Sequence, residues 1–347
     1  MPKPKLEDYL LPDGRYYFDN AATTKMSERA LQVYNETAER WFMNPMSYKD
    51  FDPEIEKLLT SSREHVANFL GGDPYRDRVI FTSGATESLN ILLTGYFLQN
   101  CGNRRKIVTS PIEHKAVLET CSYLETIGAE LEFVNVTSEG VIDYKHLEEI
   151  VDENTLFTCL MHVNNETGEI SDLEKIYSIT SEVGSKFFTD TTQSVTKLEV
   201  DAKFFDACVG SAHKFNGPKG VGFLYYSMGQ NIKSLFNGGS QEFDLRPGTH
   251  DLPAIVSMIS AMTMKNDVNI DCIENLIGEI SNVRAKCLNR ANPWIQLWRI
   301  PYASLNELGE KIIYGKGSAC SSGLVEHSEV YKKLFPMNYK EIIRLSI

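Results

Sequence analysis

The chain has 347 residues, of which 42% are hydrophobic and 24% are charged, and its formal net charge is −12 at pH 7. This length predicts about two domains, and the composition is typical of a globular protein. The acidic balance argues against nucleic acid or an anionic membrane as a partner. With no apolar run long enough to cross a membrane and no apolar signal region after Met1, a cytoplasmic protein is expected.

The first part of the chain predicts a short strand from residue 16, followed by two helices at 28–42 and 53–70. A regular alternation of strands and helices then begins. The predicted strands are 78–81, 106–108, 130–136, 156–163, 186–189 and 204–209, and the helices between them are 86–99, 114–127, 144–151 and 172–183. This alternation predicts a mostly parallel central sheet that is covered by helices on both faces.

The character of the sequence changes after the turn at 246–249. Residues 253–291 read as mainly helical, and the remainder is mixed. We therefore predict a large domain over 16–255 and a smaller α+β domain made of 1–15 and 256–347.

Polar residues cluster directly after the predicted strands. These clusters are Ser83 to Thr86, Glu113-His114, Asn164 to Glu166, Asp190 to Gln193, and Ser211 to Lys214. In a parallel sheet the carboxyl ends of the strands meet at one edge, which is where ligands bind. The sequence therefore predicts one binding site built from these clusters.

Lys214 follows the apolar run 204–209 and precedes a turn rich in glycine and proline. Lysine amines form Schiff bases with carbonyl compounds, and pyridoxal phosphate is the commonest partner of this kind. A surface lysine in a turn is the alternative for Lys214, and we predict that Lys219 is such a residue.

Three further candidates each have an ordinary structural alternative. Ser83 to Thr86 stands at a strand-to-helix turn, where backbone N–H groups can bind a phosphate or simply form a helix cap. Asp190 can pair with a pyridinium nitrogen or act as a cap. His114 can cover an aromatic ring or cap its own helix.

Seven cysteines are scattered at 101, 121, 159, 208, 272, 287 and 320, with no Cys-x-x-Cys pair. This pattern indicates reduced thiols and neither a disulfide framework nor a zinc site. Cys320 differs from Cys159 and Cys208, which lie in apolar runs, because it has small polar neighbours. Such a thiol suits a nucleophile, although an ordinary turn has the same composition.

Taken together, the motifs resemble one family, the pyridoxal-phosphate-dependent cysteine desulfurases of the nitrogen-fixation and iron–sulfur-assembly type, within the class V aminotransferases. The matching segments occur in family order: YFDNAATT at 17–24, FTSGATES at 81–88, EHKAVL at 113–118, MHVNNETG at 161–168, DTTQS at 190–194, SAHKFNGPKGVG at 211–222, RPGT at 246–249 and GSACSSG at 317–323. The resemblance implies an α/β fold of pyridoxal phosphate fold type I.

The resemblance also implies a role for each matching position. Lys214 would form the Schiff base with the cofactor and later move the substrate Cα proton. The other implied cofactor contacts are Asp190 at the pyridinium nitrogen, Gln193 at the phenolic oxygen, His114 against the ring, Thr86, Ser211 and His213 at the phosphate, and Ala85 and Asn165 beside the cofactor. Thr249 would reach the phosphate of the partner subunit in a homodimer.

For the substrate, L-cysteine, the resemblance implies that Arg344 grips the carboxylate and that Asn165 lies nearby. Cys320 would attack the substrate sulfur, keep it as a persulfide and release alanine. A sulfur-acceptor protein would then take the sulfur for iron–sulfur assembly or for tRNA or DNA modification.

The chain departs from the family pattern in three places. Residues 43–47 read Met-Asn-Pro-Met-Ser instead of Gly-Asn-Pro-Ser-Ser, so we expect a rebuilt wall of the site. The stretch from Thr249 to Cys320 is short, which predicts a trimmed small domain. The sequence ends three residues after Arg344, where relatives continue through further helices.

Two alternatives stay open at this point. One is another enzyme of the same fold, such as a selenocysteine lyase or an aminotransferase. The other is a sulfur-relay scaffold with a degenerate site, against which the joint presence of Lys214, Asp190, His114 and Cys320 argues.

Overall fold

The structure is a computed structural model and describes residues 5–48, 53–264, 276–277, 286–289, 292–317 and 328–347. Strands and helices alternate through the first two thirds of it. Within the described ranges the strands are β1 Tyr16–Phe18, β2 Arg78–Thr82, β3 Lys106–Thr109, β4 Glu130–Phe133, β5 Thr155–Cys159, β6 Lys186–Asp190, β7 Ala207–Ser211, β8 Gly222–Tyr226, β9 Lys286–Cys287, β10 Ile295–Arg299, β11 Ile312–Tyr314 and β12 Ile342–Ser346.

The central sheet has the order β2-β8-β7-β6-β5-β3-β4 across the described part of the chain. Only β8, within this sheet as described, runs antiparallel to its neighbours, β2 and β7. The predicted mostly parallel sheet is therefore confirmed, and the carboxyl ends of the six parallel strands lie at the same edge.

Helices cover both faces of this sheet. They are Glu28–Arg40, Pro45–Tyr48, Pro53–Phe69, Ala85–Leu89, Gly95–Asn100, Lys115–Thr126, Tyr144–Ile150, Leu173–Glu182 and Leu252–Met262, with a π-helical turn at Asn90–Thr94. Phe187 and Phe188 are both fully buried, yet they pack into different core clusters. Successive strand residues point to opposite faces, so each face contributes its own hydrophobic core.

The strand predicted at 204–209 begins later than expected. A short 3-10 turn occupies Ala202–Phe204, and β7 starts at Ala207. The carboxylate of Asp206 accepts hydrogen bonds from Phe187 N at 2.9 Å and from Lys186 Nζ at 2.8 Å. Because this side chain bonds the segment before β7 to β6, the backbone pairing of β7 begins one residue later, at Ala207.

Beyond residue 250 the chain first returns to the large sheet. The helix Leu252–Met262 packs on the helix Glu28–Arg40, where Ser257 Oγ donates to Ala30 O at 2.7 Å. This helix runs through residue 255, where the sequence analysis places the domain boundary. The division into two domains stays a prediction.

The later strands build a smaller layer. β10 pairs antiparallel with β9 and β12, and β1 pairs in parallel with β11. Helices Leu305–Lys311 and Glu329–Leu334 accompany them. Phe18 packs here with Trp298 and Leu345, so the first strand of the chain joins its last segment in one core.

No helix in the described ranges is long and apolar enough to span a bilayer.

Candidate active site

A cavity of about 500 Å³ lies at the carboxyl edge of the central sheet. Most of the predicted site residues line it. These are Ala85, Thr86, His114, Asn165, Asp190, Gln193, Ser211, His213, Lys214 and Arg344. The structure therefore brings together residues that come from five strand ends and from the last strand of the chain.

Lys214 ends the 3-10 turn that follows β7. Its Nζ donates to the carbonyl oxygens of Ala21 and Ala22, at 2.6 and 2.8 Å. These two carbonyls belong to the turn after β1, which the sequence analysis did not connect with the lysine. They hold the amine at the cavity wall, so the alternative of a surface lysine in a turn does not apply to Lys214.

Asp190 is the last residue of β6 and is 7% exposed. Its Oδ1 accepts from Thr192 N at 2.9 Å. Among the described residues, Asp190 forms no salt bridge with a cationic side chain. A buried carboxylate without a cation is costly, so this position suits a cationic ring nitrogen.

Gln193 follows in the same loop and is buried. Its Nε2 donates to Ala21 O at 2.9 Å, and its Oε1 accepts from Lys197 Nζ at 3.3 Å. Because a backbone carbonyl only accepts, the bond to Ala21 O identifies Nε2 as the amide nitrogen, and Oε1 therefore faces Lys197. One N–H of Nε2 is then left over for a ligand in the cavity.

The turn after β2 supplies backbone N–H groups at the opposite end of the cavity. Gly84 has φ +151°, a value that side-chain-bearing residues rarely adopt, and a Cβ there would lie 3.2 Å from Ser211 Oγ. Glu87 also folds back on this turn, where its Oε2 accepts from Ser83 N at 2.5 Å. The helix begins at Ala85 with Gly84 at its N-cap and without a side-chain cap bond, so the predicted cap by Ser83 or Thr86 is wrong, while Thr86 lines the cavity.

His114 caps its own helix, and its predicted place over an aromatic ring stays a prediction. It caps the helix Lys115–Thr126, with Nδ1 accepting from Ala116 N at 3.1 Å, and it lines the cavity. The accepting Nδ1 places the proton of a neutral ring on Nε2.

His213 is half-buried beside Thr23, with 3.1 Å between Nδ1 and Thr23 Oγ1. Burial, aided by the charges of Lys214 and Lys219, lowers the pKa of His213 to about 4. The imidazole is therefore neutral at physiological pH and can donate one hydrogen bond to an anion.

Arg344 in β12 is 1% exposed. Its guanidinium donates to Asn165 O at 2.7 Å and to Asp19 Oδ1 at 2.5 Å. In the described part of the chain, its buried Nε has no hydrogen-bond partner. A guanidinium carries five N–H donors, so donors are still available for a substrate carboxylate.

Asp19 and Lys197, at or near the site, were not predicted, and Glu113 was predicted only as a member of the Glu113-His114 cluster, with no role of its own. Glu113 is buried next to His114, and it accepts from Ser110 Oγ at 2.7 Å and from Met161 N at 3.0 Å. Burial raises the pKa of Glu113 to about 8 against these two bonds, and the nearby charge of Asp190 adds to the shift. Only its place inside the Glu-His motif could have drawn attention to it.

The structure leaves two predicted residues outside the described lining, for different reasons. Thr249 is exposed and does not line the cavity of its own chain. Cys320 lies outside the described residues. Lys219, which the sequence analysis assigned to a surface turn, is exposed as expected but also lines the cavity.

A lysine amine, a buried carboxylate and the strand-to-helix turn after β2 line one cavity at the carboxyl edge of a mostly parallel sheet. This arrangement defines a pyridoxal-phosphate-dependent enzyme of fold type I. Residues 16–297 match the family model described as aminotransferase class-V. The chain belongs to this family and, within it, to the cysteine desulfurases of the NifS/IscS type.

The relatives support this assignment over most of the chain. The cysteine desulfurase IscS of Dictyoglomus turgidum is 33% identical over 336 residues, which cover 90% of this chain and 84% of that protein. The cysteine desulfurase IscS of Buchnera aphidicola is 34% identical over 343 residues, covering 92% and 83% respectively.

Two solved structures are similar along nearly their whole length. A NifS-like protein superposes with a TM-score of 0.83 at 31% identity, covering 96% of this chain and 93% of that chain. The structure of SspA in complex with cysteine superposes with a TM-score of 0.84 at 28% identity, covering 95% and 98%.

Proposed function

We propose that this enzyme converts L-cysteine to L-alanine and transfers the sulfur to Cys320 as a persulfide. The observation that carries the proposal is that Lys214, Asp190 and Arg344 line one cavity, from three separate parts of the chain. A cationic group for the substrate carboxylate then lies beside the lysine and the carboxylate that a pyridoxal phosphate site needs.

Pyridoxal phosphate, when bound, supplies an electron sink that labilises bonds at the substrate's α-carbon. The residues present fit this group. Asp190 would pair with its ring nitrogen, Gln193 would donate to its phenolic oxygen, and His114 would cover its ring. Ala85, Thr86, Ser211 and His213 would hold its phosphate, and Asn165 would lie beside the ring.

Lys214 acts as the base in this proposal. Its Nζ, which donates to the carbonyls of Ala21 and Ala22, is the group that would hold the cofactor through a Schiff base. The free amine then lies at the cavity wall, where it can accept the Cα proton of the substrate and return it.

In this proposal Arg344 binds the substrate and Cys320 accepts its sulfur. Arg344 orients the substrate through its carboxylate, with Asn165 alongside. The Cys320 thiolate then bonds to the substrate sulfur as the C–S bond breaks, and the bonding pair stays on the carbon, which is protonated to give alanine. The sulfur remains on Cys320 as a persulfide until an acceptor protein takes it.

The proposal includes a homodimer, because Thr249 is exposed and does not line the cavity of its own chain, so it is available to the phosphate site of a second copy. It also includes a cytoplasmic location, which the scattered cysteines of the sequence, with no Cys-x-x-Cys motif, support.

Peptide mass spectrometry tests the sulfur transfer directly. The purified, cofactor-loaded protein is incubated briefly with L-cysteine, alkylated and digested, beside Lys214→Ala and Cys320→Ser variants. We expect one added sulfur on the Cys320 peptide of the wild type only, together with alanine. Cys101, which is partly exposed, serves as the internal reference thiol and should stay unmodified.

Two other outcomes would contradict the proposal in different ways. If alanine forms while Cys320 stays an unmodified thiol, the enzyme is a lyase that releases sulfur without holding it. If neither alanine nor persulfide forms in the loaded wild type, the desulfurase assignment of this chain is wrong.

A further inference from the structure

Glu242 is a buried carboxylate that the proposed reaction does not use, and it is 3% exposed. It accepts two hydrogen bonds from the guanidinium of Arg63, both at 2.7 Å, and a third from Phe81 N at 2.9 Å. His250 Nε2 lies 2.5 Å from its Oε1. One carboxylate thus joins the helix Pro53–Phe69, the strand β2 and the turn that holds Thr249.

The backbone around Glu242 is in a rarely populated conformation. Glu242, Phe243 and Asp244 have φ values of 51°, 57° and 65°, although none of them is a glycine. Consecutive left-handed residues are unfavourable for side-chain-bearing amino acids, so the surrounding contacts must hold them in place. The aromatic ring of Phe243 adds to these contacts, with the guanidinium carbons of Arg63 and Arg78 at 5.2 and 4.6 Å from its centroid.

Two separate side-chain contacts fix the following turn, which carries Thr249, and Glu242 makes one of them. At one end, His250 is bonded to Glu242. At the other, Arg246 Nε donates to Glu87 Oε1 at 2.9 Å, beside the cavity of its own chain. Thr249 stands exposed between these two anchors.

We infer that Glu242 is a positioning residue for the cofactor site of a second copy of this chain, because its carboxylate fixes the turn from which Thr249 reaches that site. The inference rests on the proposed homodimer. It predicts that damage at Glu242 weakens the site of the partner subunit and leaves the site of its own subunit intact.

Mixed dimers distinguish an effect of Glu242 on the site of the partner subunit from an effect on the site of its own subunit. Lys214→Ala and Glu242→Gln chains are co-expressed with different tags and purified through both. In this mixed dimer, one site combines Lys214 from the Glu242→Gln chain with the intact turn of the Lys214→Ala chain. The other site carries both defects.

We expect Glu242→Gln alone to retain pyridoxal phosphate about 10-fold more weakly, as the loss of a hydrogen bond to a charged group would produce. The mixed dimer should hold one equivalent of cofactor with wild-type affinity and recover alanine formation at that site. Asp244→Asn, an exposed carboxylate in the same strained segment, is the matched control and should behave as the wild type.

Thr249→Val mixed with Lys214→Ala tests the underlying homodimer in the same format. If the mixed dimer recovers cofactor binding with Thr249→Val but not with Glu242→Gln, Glu242 acts on the site of its own subunit. The inference is then wrong, while the site shared between subunits stands. If neither is rescued, the shared site itself is wrong and the inference falls with it. Should Glu242→Gln fail to fold, His250→Gln, which cuts only the link to the turn, must show the same rescue.

Discussion

Arg344 Nη2 donates to Asp19 Oδ1 at 2.5 Å, across 325 positions of sequence. The pair joins the turn after the first strand to the last strand of the chain, at the wall of the cofactor cavity. Asp19 is only partly exposed, at 18% of its side chain, so the pair is shielded from solvent. The orientation of the predicted carboxylate-binding arginine therefore depends on an acidic residue from the other end of the protein.

Asp19→Asn should weaken substrate binding. Loss of the charged hydrogen bond leaves the guanidinium less well oriented, and such bonds contribute about 1.5–3 kcal/mol. Steady-state kinetics should show KM for L-cysteine raised about 10-fold or more, with a smaller change in kcat. Asp13→Asn, which breaks an exposed ion pair with Arg15, is the control. A lower KM in Asp19→Asn would mean that Asp19 competes with the substrate for the arginine.

Gly315→Ala should disturb the same pair from the other side. A Cβ at Gly315 would lie 2.6 Å from Arg344 Nη2 and 2.8 Å from Asp19 Oδ1, which is closer than real contacts. Chemical denaturation should show the free energy of unfolding lowered by about 1–3 kcal/mol, the usual cost of overpacking.

Gly309→Ala provides the matched control for this substitution. Gly309 lies in the helix Leu305–Lys311, and no atom of the described residues lies within 4 Å of the position that an alanine methyl group would take there. Alanine at this position should raise the free energy of unfolding by up to about 1 kcal/mol, because glycine is the poorer helix former. Equal losses in the two variants would contradict the steric account of Gly315.

Glu113 should make stability depend on pH in an unusual direction. The pKa of this buried carboxyl is raised to about 8, above the 4.5 of an exposed glutamate, so the native state binds the proton more tightly than the unfolded state. The stabilisation of the native state by this proton is fully present below the pKa of the unfolded state, and it is lost as the pH rises through the pKa of the native state.

Urea unfolding of the cofactor-free protein from about pH 5 to about pH 8 measures this effect. Glu113→Gln carries no titrating proton, so its free energy of unfolding should rise relative to that of the wild type as the pH increases. The relative rise should be at most about 1.4 kcal/mol per pH unit. Glu119→Gln, an exposed position on the following helix, should run parallel to the wild type. A parallel course for Glu113→Gln as well would show that the carboxyl titrates normally.

Lys197 should act on the cofactor through Gln193. Its ammonium holds Oε1 of the amide at 3.3 Å and so keeps Nε2 on the cavity side. Lys197→Met and Gln193→Leu should therefore shift the absorption of bound pyridoxal phosphate in the same direction, and the double variant should shift it no further.

Lys106→Met is the control for loss of a partly buried lysine. Lys106 begins β3 at the opposite edge of the sheet, where it pairs with Asp152 at 2.8 Å. Its loss should lower stability and leave the cofactor absorption unchanged. Additive shifts in the Lys197 and Gln193 double variant would show that the two side chains act separately.

The sequence by itself was enough to place Lys214, Asp190, Gln193 and His114 around one site. Each follows a strand of a parallel sheet, and the carboxyl ends of such strands meet at one edge for geometric reasons. Local pattern therefore determined both the fold class and the cofactor-binding edge. Cys320 was predicted from its small polar neighbours together with the family resemblance at 317–323, and its part in the reaction stays a prediction.

Only the tertiary structure decided which groups contact and orient these residues. The carbonyls that hold Lys214 lie about 190 positions away in sequence, and Asp19 lies 325 positions from Arg344. Glu242 likewise meets Arg63 and Phe81 across more than 160 positions. Spacing along the chain carries no record of such pairs, because packing between distant elements brings them together and burial then makes each contact strong.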